Sequence, residues 1–238
     1  MNAEELLERY QAGEREFSGL DLQGADLYRA ALNGVNLSEA NLAGADLSGA
    51  RLTGAYLAGA NLTQAKLKQA VLREADLSDC RLVEANLALA KLVGAVLAGA
   101  DLTRADLSGA NLSRADLSGA LLLHADLTNV DLSGAYLYQL DARGANFWQG
   151  DLCRAVLREA NLAGASLREV DLSRAVLRAA NLQGANLKGA SLNGAILQGA
   201  NLREAYLLEV DWQRAILTDV DLTGATLPDG RVMDAAVG

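Results

Sequence analysis

The residues that most often carry chemistry are few in this chain of 238 residues. His124 is the only histidine, and Cys80 and Cys153 are the only cysteines. They do not have the Cys/His spacing of a zinc site, and the sequence contains neither a phosphate-binding glycine loop nor a dinucleotide-binding motif. A lone histidine rarely acts as a ligand or as a base. We therefore predict no catalytic residue, no cofactor-binding residue and no metal-binding residue, and we expect that the protein is not an enzyme.

Acidic residues are abundant, with 30 Asp and Glu against 21 Lys and Arg, which gives a net charge of −9. The aspartates do not cluster. They recur in a five-residue unit, A-(D/N)-L-x-x, as in Ala25-Asp26-Leu27, Ala45-Asp46-Leu47 and Ala115-Asp116-Leu117. Because Ser and Asp belong to this repeat, no Ser–His–Asp triad can be singled out. Stacked carboxylates diluted by Asn and Lys do not indicate a dedicated cation site.

The five-residue unit keeps its phase from Phe17 to Leu227, which makes 43 units whose central residue is nearly always Leu. Two apolar positions in every five fit neither a 3.6-residue helix nor the alternation of a strand. They favour a solenoid in which Ala and Leu point inward and the other residues point outward. Glycine is frequent at the last position of the unit, where it permits the positive φ of a tight turn.

This unit, in phase over about nine-tenths of the chain, resembles the pentapeptide-repeat family. Its near-unbroken repeat looks like that of cyanobacterial members, some of which influence heterocyst differentiation. The resemblance implies an all-β fold, a right-handed quadrilateral parallel β-helix with four units, or 20 residues, in each coil. The repeat would then form about 11 coils and a rod ~50 Å long at the usual spacing between strands.

We expect one domain in three parts: an N-terminal helical cap over residues 1–14, an uninterrupted β-helix over 15–227 and a C-terminal cap or tail over 228–238. Asn2 can cap the helix, and Gly13 suits its end. The turn residues of Leu227-Pro228-Asp229-Gly230 end the repeat. No apolar run is long enough to span a membrane and the acidic start lacks the features of a secretory signal, so we predict a cytoplasmic protein.

A 20-residue coil sorts the outward residues onto four faces, which we name after their first central residues: the Phe17, Leu22, Leu27 and Leu32 faces. On such a coil Cys80 points inward, Cys153 points outward, and the two lie too far apart for a disulfide. The Leu32 face has five acids and seven bases. The Phe17 face carries only two bases, Arg158 and Arg178. Its seven acids are Glu16, Glu39, Asp76, Asp79, Asp116, Glu159 and Asp219.

The Phe17 face also carries the candidate site. On five consecutive coils its residue before the centre is apolar, and Tyr138 lies alongside; Arg158, Arg178 and Glu159 border these residues. The five are Tyr136, Val156, Val176, Ile196 and Ile216. A contiguous exposed apolar stripe often marks a protein contact, and this is our hypothesis. The alternative is an ordinary ladder of β-branched residues that pack well against one another.

A second set of apolar residues, on the opposite Leu27 face, is scattered along the rod. It consists of Tyr28, Trp148, Tyr206 and Leu208. Trp148 is expected to point outward and could anchor a partner. The set is more simply explained as isolated surface residues.

The sequence therefore predicts a non-enzymatic scaffold, a rigid rod that presents flat faces to a regulatory protein partner or to a second copy of itself. The family resemblance implies an alternative, a DNA-mimicking modulator of DNA gyrase, which the negative charge favours. The basic Leu32 face, the apolar stripe and the missing C-terminal dimerisation module weigh against it. We expect neither direct nucleic-acid binding nor membrane association.

Overall fold

The computed structural model describes residues 1–234, which form one α-helix followed by a continuous β-solenoid. Residues 235–238, the end of the expected C-terminal tail, lie outside the described residues. Helix α1 spans Ala3–Gln11. Its N-cap is Asn2, whose Oδ1 accepts a hydrogen bond from the Glu5 amide at 2.9 Å. Gly13 follows the helix with φ +103°, a conformation that glycine adopts without strain.

Helix α1 closes the N-terminal end of the solenoid. Leu6 is fully buried with the first inward residues of the repeat, including Phe17. The Tyr10 hydroxyl donates to the Asn33 carbonyl at 2.8 Å, which ties the helix to the first coil. The helix thus covers apolar side chains that an open solenoid end would expose to water.

The solenoid is built from single-residue parallel β-bridges rather than from long strands. The bridges join residues 20 apart, from Glu16↔Asn36 to Tyr206↔Thr226, without interruption. Each bridge uses the residue before the central leucine; for example, the Leu97 amide donates to the Asp116 carbonyl at 2.7 Å. Four five-residue units therefore complete one coil, in the register that the family resemblance implies.

The interior is a narrow column of alanines and leucines, nearly all of them fully buried. Local volume is conserved where the pattern changes. Phe147 replaces a leucine, and Gly150 replaces the following alanine. A methyl group on Gly150 would lie 3.0 Å from the Phe147 carbonyl oxygen and 3.2 Å from Val130 Cγ1. Any larger residue at position 150 would therefore require its neighbours to shift.

Every corner between faces requires a left-handed backbone, at the residue two after the centre. Glycine supplies it at positions such as Gly164, where φ is +66°. Glycine is not required, however, because 23 other residues adopt the same conformation, including Arg174 at φ +60°. The solenoid thus imposes left-handed corners at a cost of about 1 kcal/mol for each non-glycine residue.

The recurring Asp and Asn residues cap these turns. Their Oδ1 accepts a hydrogen bond from the amide two residues later, as in Ser108 to Asp106 at 2.9 Å. Asparagines also form ladders between coils. Asn201 donates to Asn181 at 3.0 Å, and Asn181 donates to Asn161 at 3.1 Å. Much of the acidic character of the chain therefore has a structural cause.

The C-terminal end of the solenoid is covered less completely. Residues 228–233 fold back, so that Val232 forms an antiparallel bridge with Thr226. Three central residues of the last coil, Trp212, Leu217 and Leu222, are only partly buried. Within residues 1–234 their amides have no hydrogen-bond acceptor in the protein.

No helix in the described part of the chain has the length and apolar character needed to cross a lipid bilayer.

Candidate functional site

The structure brings together the apolar residues that the sequence singled out on the Phe17 face. Parallel bridges link Tyr136, Val156, Val176, Ile196 and Ile216 in that order, so they form one continuous stripe, which we call the apolar stripe. Its two ends are open to solvent, with 56% of Tyr136 and 48% of Ile216 exposed, while the three middle residues are half-buried.

The apolar stripe lacks the turn-capping hydrogen bonds of the usual repeat, because its side chains have no Oδ1 that could accept one. Five consecutive turn amides consequently have no protein acceptor among residues 1–234. They belong to Tyr138, Arg158, Arg178, Gln198 and Thr218. A hydrogen bond of this kind contributes about 1 kcal/mol. The stripe thus replaces a stabilising feature of the repeat with exposed apolar surface.

Arginines lie along both sides of the apolar stripe. Arg158 and Arg178 follow it on the Phe17 face, as the sequence indicates. Arg154, Arg174 and Arg214 occupy the corner that precedes it, and we call these two groups the arginine borders. None of the five forms an ion pair within the part of the chain that the structure describes.

The Arg174 side chain extends along the rod towards the next coil. A methyl group on Gly194 would lie 3.6 Å from Cγ of Arg174, so that side chain covers the adjacent glycine corner. In the sequence Arg154, Arg174 and Arg214 count among the seven bases of the neighbouring Leu32 face. In the structure Arg174 and Arg214 line a concavity of that face with Cys153, Ser173, Ser191 and Asn193, while the backbones of all three arginines lie at the corner that precedes the apolar stripe.

Glu159 is the one carboxylate beside the middle of the apolar stripe, and neutral donors already bind it. The Tyr138 hydroxyl donates to Glu159 at 3.2 Å, and the Gln139 side-chain amide donates at 2.9 Å. The hydrogen bond to Glu159 is the main reason that the pKa of Tyr138 is raised. These bonds hold Tyr138 against the edge of the stripe.

A group of three possible metal ligands, which the sequence analysis did not identify, arises from the 20-residue register. The ligand atoms of Asp151, Cys153 and Asp171 lie within 4.8 Å of one another. The Cys153 amide donates to Asp151 at 2.8 Å, and Asp171 accepts a similar bond, so both carboxylates cap turns. Desolvation, followed by the two carboxylates, raises the pKa of the Cys153 thiol. The hydrogen bonds to the turn amides account for the positions of both carboxylates, so the arrangement is explained by turn capping.

The remaining reactive residues are isolated. Cys80 is buried with its Sγ 2.9 Å from the Leu57 carbonyl oxygen, and burial raises its pKa to about 12. Both Cys80 and Cys153 are free. His124 lies at an exposed corner, where its ring covers Gly144. These residues do not meet in a shared site.

The apolar residues of the Leu27 face do not form a second stripe. Trp148 is 40% exposed, but its neighbours in the same column are Thr128 and Arg168. Tyr206 and Leu208 lie three coils further along, and Tyr28 lies in the first coil. Trp148 therefore has no apolar neighbour in its column.

The family model for pentapeptide repeats matches residues 16–54, 50–88, 80–119, 110–149, 155–194 and 195–229. A crystal structure of HetL, a pentapeptide repeat protein involved in heterocyst differentiation regulation, comes from the cyanobacterium Nostoc sp. strain PCC 7120. It is 37% identical, the match covers 98% of this chain and 100% of HetL, and the TM-score is 0.77.

A trypsin-treated form of QnrB1, a plasmid-mediated fluoroquinolone resistance protein, is 21% identical. That match covers 87% of this chain and 91% of QnrB1 with a TM-score of 0.59, and it shows likeness of fold alone. No curated protein sequence matches the chain. Together these matches indicate a right-handed β-helix solenoid.

Proposed function

The chain belongs to the pentapeptide-repeat family, and on that premise we propose that it is a non-enzymatic protein-interaction scaffold. Its proposed contact surface is the apolar stripe with its two arginine borders. One observation carries this proposal: apolar side chains form a continuous stripe on five consecutive coils, and on three of these coils it is bordered by arginines that form no ion pair within residues 1–234.

The composition of this surface supports a protein contact. Tyr and Arg are the residue types enriched in interfaces, and both occur here beside β-branched residues. Burial of the stripe by a partner would remove apolar area from water, which stabilises a complex by roughly 25 cal/mol per Å² before the costs of association. Each arginine could gain a carboxylate that it lacks within the described chain.

The likeness to HetL supports a regulatory protein as the class of partner. HetL is involved in the regulation of heterocyst differentiation, and the match extends over almost the whole of both chains. We therefore propose that the rod presents the apolar stripe to a regulatory protein.

The test is a comparison of two immobilised variants with the wild type in a lysate of the source organism. The stripe variant carries Val156→Glu, Val176→Glu and Ile196→Glu. The control variant carries Ala43→Glu, Ala163→Glu and Gln183→Glu on the Leu22 face, with the same change of charge. We expect a partner that binds the wild type and the control but not the stripe variant. If both variants capture the same proteins, the stripe is an ordinary exposed ladder and the proposal is wrong.

The alternative is a DNA-mimicking modulator of DNA gyrase, which the net charge of −9 favours. Two features oppose it. Many aspartates cap turns, so the fold itself accounts for them, and the arginine borders place positive charge on one side of the rod. A gyrase supercoiling assay separates the two functions, because a scaffold leaves supercoiling unchanged at micromolar concentration. Inhibition of supercoiling, or protection of the enzyme from a fluoroquinolone, would favour the mimic.

A further inference from the structure

The charge of the Phe17 face, taken together with the corner that precedes it, is divided along the rod. The N-terminal half has six acids and one base, a net charge of −5, and the C-terminal half has five bases and two acids, a net charge of +3. The acids of the first half are Glu16, Glu39, Glu74, Asp76, Asp79 and Asp116, with Arg114 as the base. The second half contains the arginine borders, Glu159 and Asp219.

The two halves also differ in how far their side chains project from the face. In the column after the centre, the N-terminal half has small side chains and the C-terminal half has large ones. The small residues are Ala58, Ser78, Ala98 and Ser118, and the large ones are Tyr138, Arg158, Arg178 and Gln198. The N-terminal half adds two exposed apolar residues of its own, Tyr56 and Val96, with 57% and 37% of their surface open.

We propose that a second copy of this chain occupies the Phe17 face, with the two rods antiparallel and related by a twofold axis. This inference rests on the proposed assignment of the apolar stripe as a contact surface. A twofold interface must be complementary to itself, because the same patch is contributed by both copies. A face that is acidic and flat at one end and basic and raised at the other meets this requirement only when the two rods run in opposite directions.

One alignment of the two antiparallel rods brings the apolar residues together and places opposite charges face to face. With the axis between the coils of Asp116 and Tyr136, Tyr56 lies opposite Ile196 of the second copy, and Val96 lies opposite Val156. The same register places the acidic cluster of Glu74, Asp76 and Asp79 opposite Arg174 and Arg178. Glu39 and Asp219 form the one like-charged pair, at the two ends, where solvent screens their repulsion.

The available area suits a weak, reversible dimer. Ten coils at a spacing of ~4.8 Å and a face about 10 Å wide bury about 500 Å² on each copy, or about 1,000 Å² in total. This total is near the lower limit for specific association. Because opposite charges contribute much of the complementarity, we expect a dissociation constant in the micromolar range that increases with salt.

The experiment is a charge exchange followed by sedimentation. The acidic-face variant carries Arg174→Glu and Arg178→Glu, and the basic-face variant carries Glu74→Arg and Asp79→Arg. Asp76 is left unchanged because it caps the turn at Ser78. The control variant, Arg168→Glu with Lys188→Glu, makes the same change of charge as the acidic-face variant but on the Leu27 face. Circular dichroism verifies that each variant is folded.

We expect the wild type and the control to dimerise at about 100 µM. Each face variant alone should lose at least about tenfold in affinity, since like charges then face each other. An equimolar mixture of the two face variants should recover the dimer, because the exchanged charges are opposite again. No end-to-end association of rods would respond in this way.

Three results would overturn self-pairing: a monomeric wild type, a dimer that both face variants retain, or a mixture that stays monomeric. A monomeric wild type whose apolar stripe still captures a regulatory protein would leave the proposed function intact and refute only the second copy. Binding of an acidic peptide to that monomer, abolished by the stripe variant, would assign the surface to a partner with an acidic segment instead.

Discussion

At the scale of single residues, the buried Cys80 thiol makes the stability of the fold depend on pH. Burial raises its pKa from 9.0 to about 12 in the folded state. Between these values the unfolded thiol ionises and the folded thiol does not, so stability falls as pH rises through this interval. One such group changes the free energy of unfolding by up to ~1.4 kcal/mol per pH unit.

Substitution by alanine, the usual residue at this position of the repeat, should remove that dependence. We expect Cys80→Ala to lose less stability than the wild type between pH 8 and pH 10.5, as measured by urea denaturation at both values. Cys153→Ala serves as the control for an outward thiol. Equal losses in the wild type and Cys80→Ala would show that the Cys80 thiol is not buried as described.

The left-handed corners give a second prediction at this scale, from two neighbours in one column. Ala179 has φ +53°, whereas Gly199 has φ +69° and open space around its Cα. Ala179→Gly relieves a strained corner and should raise the free energy of unfolding by about 0.5–1 kcal/mol, after allowance for the flexibility of glycine in the unfolded chain. Gly199→Ala should lower it by a similar amount. Thermal denaturation of both variants checks this pair, and shifts of the same sign would contradict it.

At the scale of the structural element, the asparagine ladder should stabilise the contact between coils. Asn181 takes part in two ladder hydrogen bonds and also caps the turn at Gln183. Asn86 caps its turn at Ala88 but has no ladder partner among the described residues. Asn181→Ala should therefore cost about 2 kcal/mol more than Asn86→Ala, since it removes two further hydrogen bonds. Chemical denaturation of the two variants measures the difference, and equal losses would mean that the ladder contributes nothing.

The regular elements follow from the sequence more directly than their borders do. The inward Ala and Leu positions, the 20-residue register and the Asn2 cap were all predictable, because each depends on local spacing or on the family pattern. The arginine borders were not, although every arginine was visible. Sorting residues by face places Arg154 and Arg174 beside Cys153 and Ser173, and Arg174 does line a concavity with those two residues, although its backbone lies at the left-handed corner that precedes Val176. The backbone of such a corner residue lies between two faces, and a periodic pattern alone does not show which of them its side chain contacts.

The three possible metal ligands, Asp151, Cys153 and Asp171, show what spacing in the sequence can predict and what it cannot. Asp151 and Asp171 are 20 residues apart, so a register of the right period brings them together with Cys153. Their chemistry nevertheless depends on the amides that they accept, which only the turn geometry reveals. Spacing therefore predicts proximity in this solenoid but does not predict which groups remain available for ligands.

At the scale of the whole molecule, the two ends of the rod differ in how well they are covered. Helix α1 buries Leu6 against the first coil, whereas the last coil leaves Leu217 and Leu222 partly exposed, with amides that have no protein acceptor within residues 1–234. In a solenoid each coil is stabilised mainly by its neighbours, so an uncovered terminal coil opens at the lowest free energy.

Hydrogen exchange should therefore proceed from the C-terminal end. The amides of Leu197 and Leu202 bond to the last coil, and those of Leu37 and Leu42 bond the second coil to the third, near α1. We expect faster exchange at the first pair, measured by mass spectrometry under native conditions. Leu6→Asp, which places a charge in the buried contact of α1, should accelerate exchange at Leu37 and Leu42 and reduce the difference between the ends. If both pairs exchange at the same rate in the wild type, residues 228–233 cover the last coil as effectively as α1 covers the first, and unfolding has no preferred end.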